Sequence, residues 1–246
     1  MGSSNILKVF VLLFFISANA FAQDDIPYEA ETAVGINLNT YAGIIGGAMF
    51  KRTVHFKKNQ YHLFALELVN VKHPKEQRRP SLITGNTYLY NKQNYFLVIR
   101  PQYGREFLLF GKSEEEGVRI NGLFAAGPSL GILKPYAIDY DYTEYPPGTV
   151  GAPTDVRSEP FNPEIHTNPA GILGTGGALT GIGSSRFIPG LSLKTGLNFE
   201  FGTSTTGVEV GGLVEIYPKK VIIVANTQNT NVFSSVYINI YFSSKN

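Results

Sequence analysis

From Phe187 to Phe201 the chain alternates with a period of two. Phe187, Pro189, Leu191, Leu193, Thr195, Leu197, Phe199 and Phe201 fall on one side, against Ile188, Gly190, Ser192, Lys194, Gly196, Asn198 and Glu200 on the other. Successive side chains of a strand point to opposite faces, so this is a strand pattern, and a helical period of 3.6 does not fit it. The same alternation runs from Arg119 to Gly131. It returns near the end, where Val236, Ile238, Ile240 and Phe242 oppose Ser235, Tyr237, Asn239 and Tyr241. Followed along the chain, it predicts eight strands near 32–40, 44–56, 61–71, 94–110, 118–132, 187–202, 208–217 and 233–243. An even count suits closure, so the expected class is all-β, an antiparallel up-and-down barrel.

The connections carry a second, independent regularity. Those at 57–60, 111–117 and 203–207 are short, while those at 72–93, 133–186 and 218–232 are long. Transmembrane barrels have short turns at one end and long external loops at the other, so parity alone assigns an outside. Only the first connection, at 41–43, breaks the rule. The long stretch 133–186 exceeds the usual length of a structureless loop, so it is expected to hold some order or to act as a binding surface or lid.

Periodicity does not say which face is inside. A water-soluble barrel of the lipocalin kind alternates too, with its apolar face inward. Three features favour the inverse arrangement. Gly35, Gly47, Gly127, Gly131, Gly190, Gly196 and Gly211 crowd the polar face, as a narrow, packed lumen requires. Lys51, Glu67, Arg100, Glu106, Arg119, Lys194, Glu200, Glu209 and Glu215 share that face, with both signs present. Buried charges left single are costly, so these nine are expected to form a paired lumen network. The apolar face is rich in aromatics, including Phe50, Phe64, Tyr95, Tyr103, Phe107 and Phe199, which suits lipid and its interfaces. Pro101, Pro128 and Pro189 fit poorly inside closed strands, so bulges are expected there. Arg105 falls on the apolar face, which points to a bulge near Pro101. Segment 94–110 is longer than the roughly 9–11 residues a spanning strand needs, so it either projects from the bilayer or merges two elements.

The amino terminus reads as an export signal. Lys8 precedes an apolar run from Val9 to Ile16, and Ala20-Phe21-Ala22 before Gln23 has the small-x-small form of a signal-peptidase site. A cleaved leader at 1–22 and a mature domain at 23–246 follow. The apolar run is too short for a spanning helix. The 246 residues include no Cys, which excludes disulfides, thiolate metal sites and a lipidated cysteine. A net charge of +2 argues against nucleic acid as a partner.

The stretches LELVNVKHPKE (66–76), GNTYLYNKQNYFLVIRPQYGREFLLF (85–110) and GVRINGLFAAGPSLGILKPY (117–136) resemble a family of small outer-membrane β-barrel proteins of Bacteroidota, mostly of unassigned function. The likeness continues more weakly through IPGLSLKTGLNFEFG (188–202). It implies an outer-membrane location and the fold already read, and brings no catalytic residue set.

Candidate chemistry is sparse. His55, His62, His73 and His166 form no metal-ligand motif, and no cofactor is implied. A lipid-acting barrel enzyme needs a Ser within reach of a His on the wall. His62 could face lipid near the turn after Gln60, but a surface or interfacial histidine is the favoured reading. In the external loops, Lys72, Lys75, Arg78 and Arg79 form a basic run that suits the phosphates of lipopolysaccharide, or is simply solvated. Asp139, Asp141 and Glu144, interleaved with tyrosines, suit a calcium ion or a protein partner but lack a full calcium-loop ligand set. Eight strands leave room only for side chains in the lumen. The expected function is therefore a non-enzymatic outer-membrane barrel whose loops serve envelope structure, adhesion or partner binding, in contact with outer-membrane lipid and lipopolysaccharide. An accessory barrel of a transport or type IX-like secretion machinery, a narrow porin and a lipid-acting enzyme are the alternatives.

Overall fold

The structure is a computed structural model that describes residues 28–111, 117–146, 151–201 and 205–246. The leader expected at 1–22 lies outside these residues. In chain order the strands are β1 (Ala30–Asn39), β2 (Gly43–Lys57), β3 (Gln60–Val71), β4 (Arg78–Pro80), β5 (Thr87–Leu89), β6 (Asn94–Phe110), β7 (Val118–Pro135), β8 (Ala137–Asp141), β9 (Val156–Pro160), β10 (Ile172–Thr175), β11 (Arg186–Phe201), β12 (Thr206–Ile216) and β13 (Val232–Lys245). Eight of them close an antiparallel barrel in the order β1-β13-β12-β11-β7-β6-β3-β2. These are the eight strands that the alternation picks out. The first and last pair from Glu31↔Lys245 to Asn39↔Tyr237, which removes the free edge.

The alternation sorts the two faces. Lys51, Glu67, Glu106, Lys194 and Glu209 point inward and are at most 2% exposed, while Leu191, Val236 and Phe242 point outward and are 58–69% exposed. Glycine makes room for large inward side chains. A Cβ at Gly211 would lie 2.7 Å from the Tyr237 hydroxyl, and one at Gly190 would lie 2.6 Å from the Tyr217 ring. Tyrosine laid over glycine on a neighbouring strand fills a narrow lumen without leaving a void.

The prolines do not produce the expected bulges. Ile99↔Leu130 and Tyr103↔Ala126 keep one register on either side of a gap, which sets Pro101 opposite Pro128. The two missing donors thus interrupt the ladder at one place, with no residue inserted. Pro189 stands opposite Leu130 in unbroken register. Shifts occur instead between Asn37 and Asn39, His55 and Lys57, and Leu108 and Phe110, near strand ends where the twist can absorb them. Arg105 accordingly remains on the outer face. Segment 94–110 is one continuous strand.

The long connections are folded. β8, β9 and β10 form a three-stranded sheet of order β10-β8-β9, and β4 pairs with β5. Ile172–Thr175 therefore adds its strand to this cap and not to the barrel. Tyr88, Tyr136, Ile138, Tyr140, Phe161, Ile172 and Ala225 form its apolar core. Beneath it, Val221, Ile223 and Val224 of the last connection drop onto Val69, Val71, Phe96, Val98, Leu133 and Phe233 at the mouth of the barrel. The Ile223 carbonyl accepts from the backbone amides of Gln93 (2.9 Å) and Asn94 (3.1 Å), which fixes this plug.

Candidate functional site

Two regions hold the chemistry-bearing residues. The first is the lumen, where all nine residues singled out in the sequence are at most 3% exposed. Arg100 grips Glu215 through Nε (2.9 Å) and Nη2 (2.6 Å) and reaches Glu67 through Nη1 at 3.3 Å. Lys194 bridges Glu67 (2.6 Å) and Glu209 (2.7 Å). Lys51 stands 3.5 Å from Glu209 and 3.7 Å from Glu106. Asn121 and Asn198 donate to Glu106 at 2.8 and 2.9 Å, and Arg119 donates to the Tyr61 hydroxyl at 2.7 Å. Lys245 pairs with Glu200 near the turn end. The chain of contacts thus runs the length of the lumen, with acids and bases interleaved, so that most charges meet an opposite one where water is scarce.

Glu31, Lys245 and Tyr28 belong to this region and were not singled out. Glu31 is buried, and Tyr28 stacks on Tyr61 at 4.7 Å between the cations of Arg119 (4.7 Å) and Lys245 (4.6 Å). Glu31 and Lys245 share the inward parity of Ala33 and Tyr241. Extending the predicted strands by one and two residues finds them.

The second region is the cap. Lys72, Lys75, Arg78 and Arg79 are all exposed, with the Arg79 guanidinium 3.6 Å over the Tyr90 ring. Exposed Lys219 and Lys220 lie on the last connection, which the basic run meets through His73. His73 is buried, accepts the Lys75 amide at Nδ1 (3.1 Å) and donates from Nε2 to the Gln228 carbonyl (3.2 Å). Glu76 pairs with Lys92 at 2.9 Å, and burial holds the Lys92 ammonium below the usual lysine range against that pull. His166 is held in the same way. Its Nδ1 accepts the Asn162 amide (2.9 Å), which leaves the proton on Nε2 facing Glu159 at 3.0 Å. Tyr142 also donates to Glu159. That bond pushes the phenol up to about 12, and the bonds from Tyr142 and His166 hold the Glu159 carboxyl below its usual value. A histidine whose second nitrogen is occupied by a backbone amide is a clasp, not a general base.

The acidic group does not converge. Asp141 accepts from the Thr143 amide and the Tyr145 hydroxyl, both at 2.9 Å, while Asp139 is half-buried on β8 and Glu144 is exposed beyond it. Among the described residues no group of three or more His, Asp or Glu stands ready for a metal ion. His62 points outward, and its Nδ1 meets the Tyr103 hydroxyl at 2.8 Å. Among the described residues no histidine hydrogen bonds to a serine side chain.

No protein-family model matches the chain, and neither does any curated protein. Among solved structures, Neisserial surface protein A is similar over 88% of this chain and 96% of its own, at 7% identity and a TM-score of 0.40. Ail, the attachment invasion locus protein of Yersinia pestis, is similar over 89% of this chain and 100% of its own, at 10% identity and a TM-score of 0.39, in a complex with the heparin analogue sucrose octasulfate. At these values no residue or ligand transfers. The fold rests on the strand register alone.

Proposed function

We propose that the chain is an outer-membrane barrel of the Bacteroidota kind, exported by a leader at 1–22, that acts without catalysis by presenting its folded cap to partners outside the cell. The observation that carries this reading is the inverted sorting of the wall: buried ions inside, a predominantly apolar surface outside. A water-soluble barrel leaves such a surface exposed to water, whereas a bilayer covers it and leaves the ions to pair with one another inside. The plug of Val221, Ile223 and Val224 and the filled lumen support a binding role over a narrow porin. The cationic run supports phosphate-bearing partners such as lipopolysaccharide.

The test is binding of lipopolysaccharide to the protein reconstituted in vesicles. The variant K72Q/K75Q/R78Q/R79Q is expected to bind about tenfold more weakly, the value of one lost charge-assisted contact or more. Equal binding by the two proteins removes the basic run from the function and leaves the acidic, tyrosine-rich side of the cap, at Asp139, Asp141 and Glu144, as the surface to test for a protein partner.

A further inference from the structure

The barrel strands sort their charges by sign as well as by polarity. All six of their carboxylates, Glu31, Glu67, Glu106, Glu200, Glu209 and Glu215, are buried in the lumen. The outward face carries cations only. Lys134 stands at the loop end over the Tyr95 ring. Towards the turn end, Arg52 and Arg105 both fall in the β2-β3-β6 sector, while the outward positions of the other five strands are uncharged there.

This sector has an internal geometry. Arg105 stands opposite His62, and Arg52 stands one strand and two residues away, opposite Phe64. The Arg105 guanidinium lies 4.0 Å over the Phe56 ring, and the Lys57 ammonium lies 5.0 Å over the same ring. Held against an aromatic face, a guanidinium is restrained and its fork of donors has fewer directions to point in. One of those donors, Nη1 of Arg105, is screened from solvent and meets no acceptor among the described residues.

We propose that this sector is a headgroup site for a phospholipid of the leaflet at the short-turn end. This rests on the membrane reading above. Phosphate oxygens accept from Arg105 and Lys57, Arg52 supplies a second positive field, and the acyl chains run up the apolar wall beyond Tyr103. The outward strand face offers no carboxylate to receive a choline or ethanolamine cation. The site therefore prefers an anionic lipid such as phosphatidylglycerol to a zwitterionic one.

The experiment is native mass spectrometry of the protein released from nanodiscs that contain equal phosphatidylglycerol and phosphatidylcholine. The wild type is expected to retain phosphatidylglycerol with roughly tenfold enrichment, and R52Q/R105Q to retain the two lipids equally. R105Q alone, the milder change, is expected to fall between them, and R157Q, an exposed cation on β9 at the opposite end, to match the wild type. Insertion without enrichment, or enrichment that survives R52Q/R105Q, overturns the site and leaves the membrane reading standing. A wild-type protein that does not enter nanodiscs overturns both.

Discussion

The lumen and the cap bury opposite things. Inside the barrel, Lys51, Lys194, Glu67, Glu106 and Glu209 are almost fully enclosed and the apolar residues face out. In the cap, Tyr136, Ile138, Phe161 and Ile172 are enclosed and most charges face out, the Lys92–Glu76 pair excepted. The difference teaches that the barrel interior is built around its ions, with only small apolar clusters such as Ala33, Met49 and Tyr241 or Leu63, Leu123 and Ala125 packed among them. Its closed ladder satisfies the backbone, and most of its ions are paired, Lys51 being held by charge alone at 3.5 and 3.7 Å from its two glutamates. The cap follows the ordinary rule for a water-facing structure. One chain thus follows two patterns of burial, with the mouth cluster around Phe96, Ile223 and Phe233 as the junction.

That contrast breaks most sharply at Glu67, which touches both Lys194 and Arg100. Glu67→Gln leaves two enclosed cations with one carboxylate fewer. Removing a buried partner costs about 3–5 kcal/mol, and the low end is expected because Lys194 keeps Glu209 and Arg100 keeps Glu215. Urea unfolding in detergent reads the loss, while the protease resistance of the cap at 25 °C stays as in the wild type. A smaller effect runs the other way. Ile138→Ala opens a hole in the cap core and costs about 2 kcal/mol there, the low end for such a truncation because a thin layer relaxes. Proteolysis between 141 and 172 accelerates, and the barrel's unfolding midpoint does not move. If each variant disturbed both regions equally, the two would be a single cooperative unit and the contrast would be one of composition only.

The eight barrel strands were legible because alternation persists for 10 or more residues in each, and their ends fall within three residues of the expected positions. β7 runs on to Pro135 because Leu133 continues the inward parity and pairs with Arg186. The cap strands were not legible. β4, β5, β8, β9 and β10 are three to five residues long; in β8 and β10 apolar residues come side by side, as in Ala137-Ile138 and Ile172-Leu173, because both faces are covered, while β4 and β9 are exposed and carry no apolar alternation. The plug did leave a signal. Val221-Ile222-Ile223-Val224 is a four-residue apolar run inside a connection, which a solvated loop has no reason to carry. The lumen residues Glu31 and Lys245 pair with each other just past the ends that alternation alone gives, at 32 and 243. The prolines misled because a register can lose two donors at one point without inserting a residue.

The central claim is that the apolar side of each barrel strand faces lipid. Because the chain has no cysteine, a nitroxide can be placed singly at each position from Ser235 to Phe242 of the protein reconstituted in vesicles, and its collisions with oxygen and with a water-soluble nickel complex compared. The account predicts a period of two, with oxygen favoured at Val236, Ile238, Ile240 and Phe242 and neither quencher effective at Tyr237, Asn239 and Tyr241. Nickel favoured at Val236, Ile238 and Ile240 would mean that water covers the wall, and would contradict it.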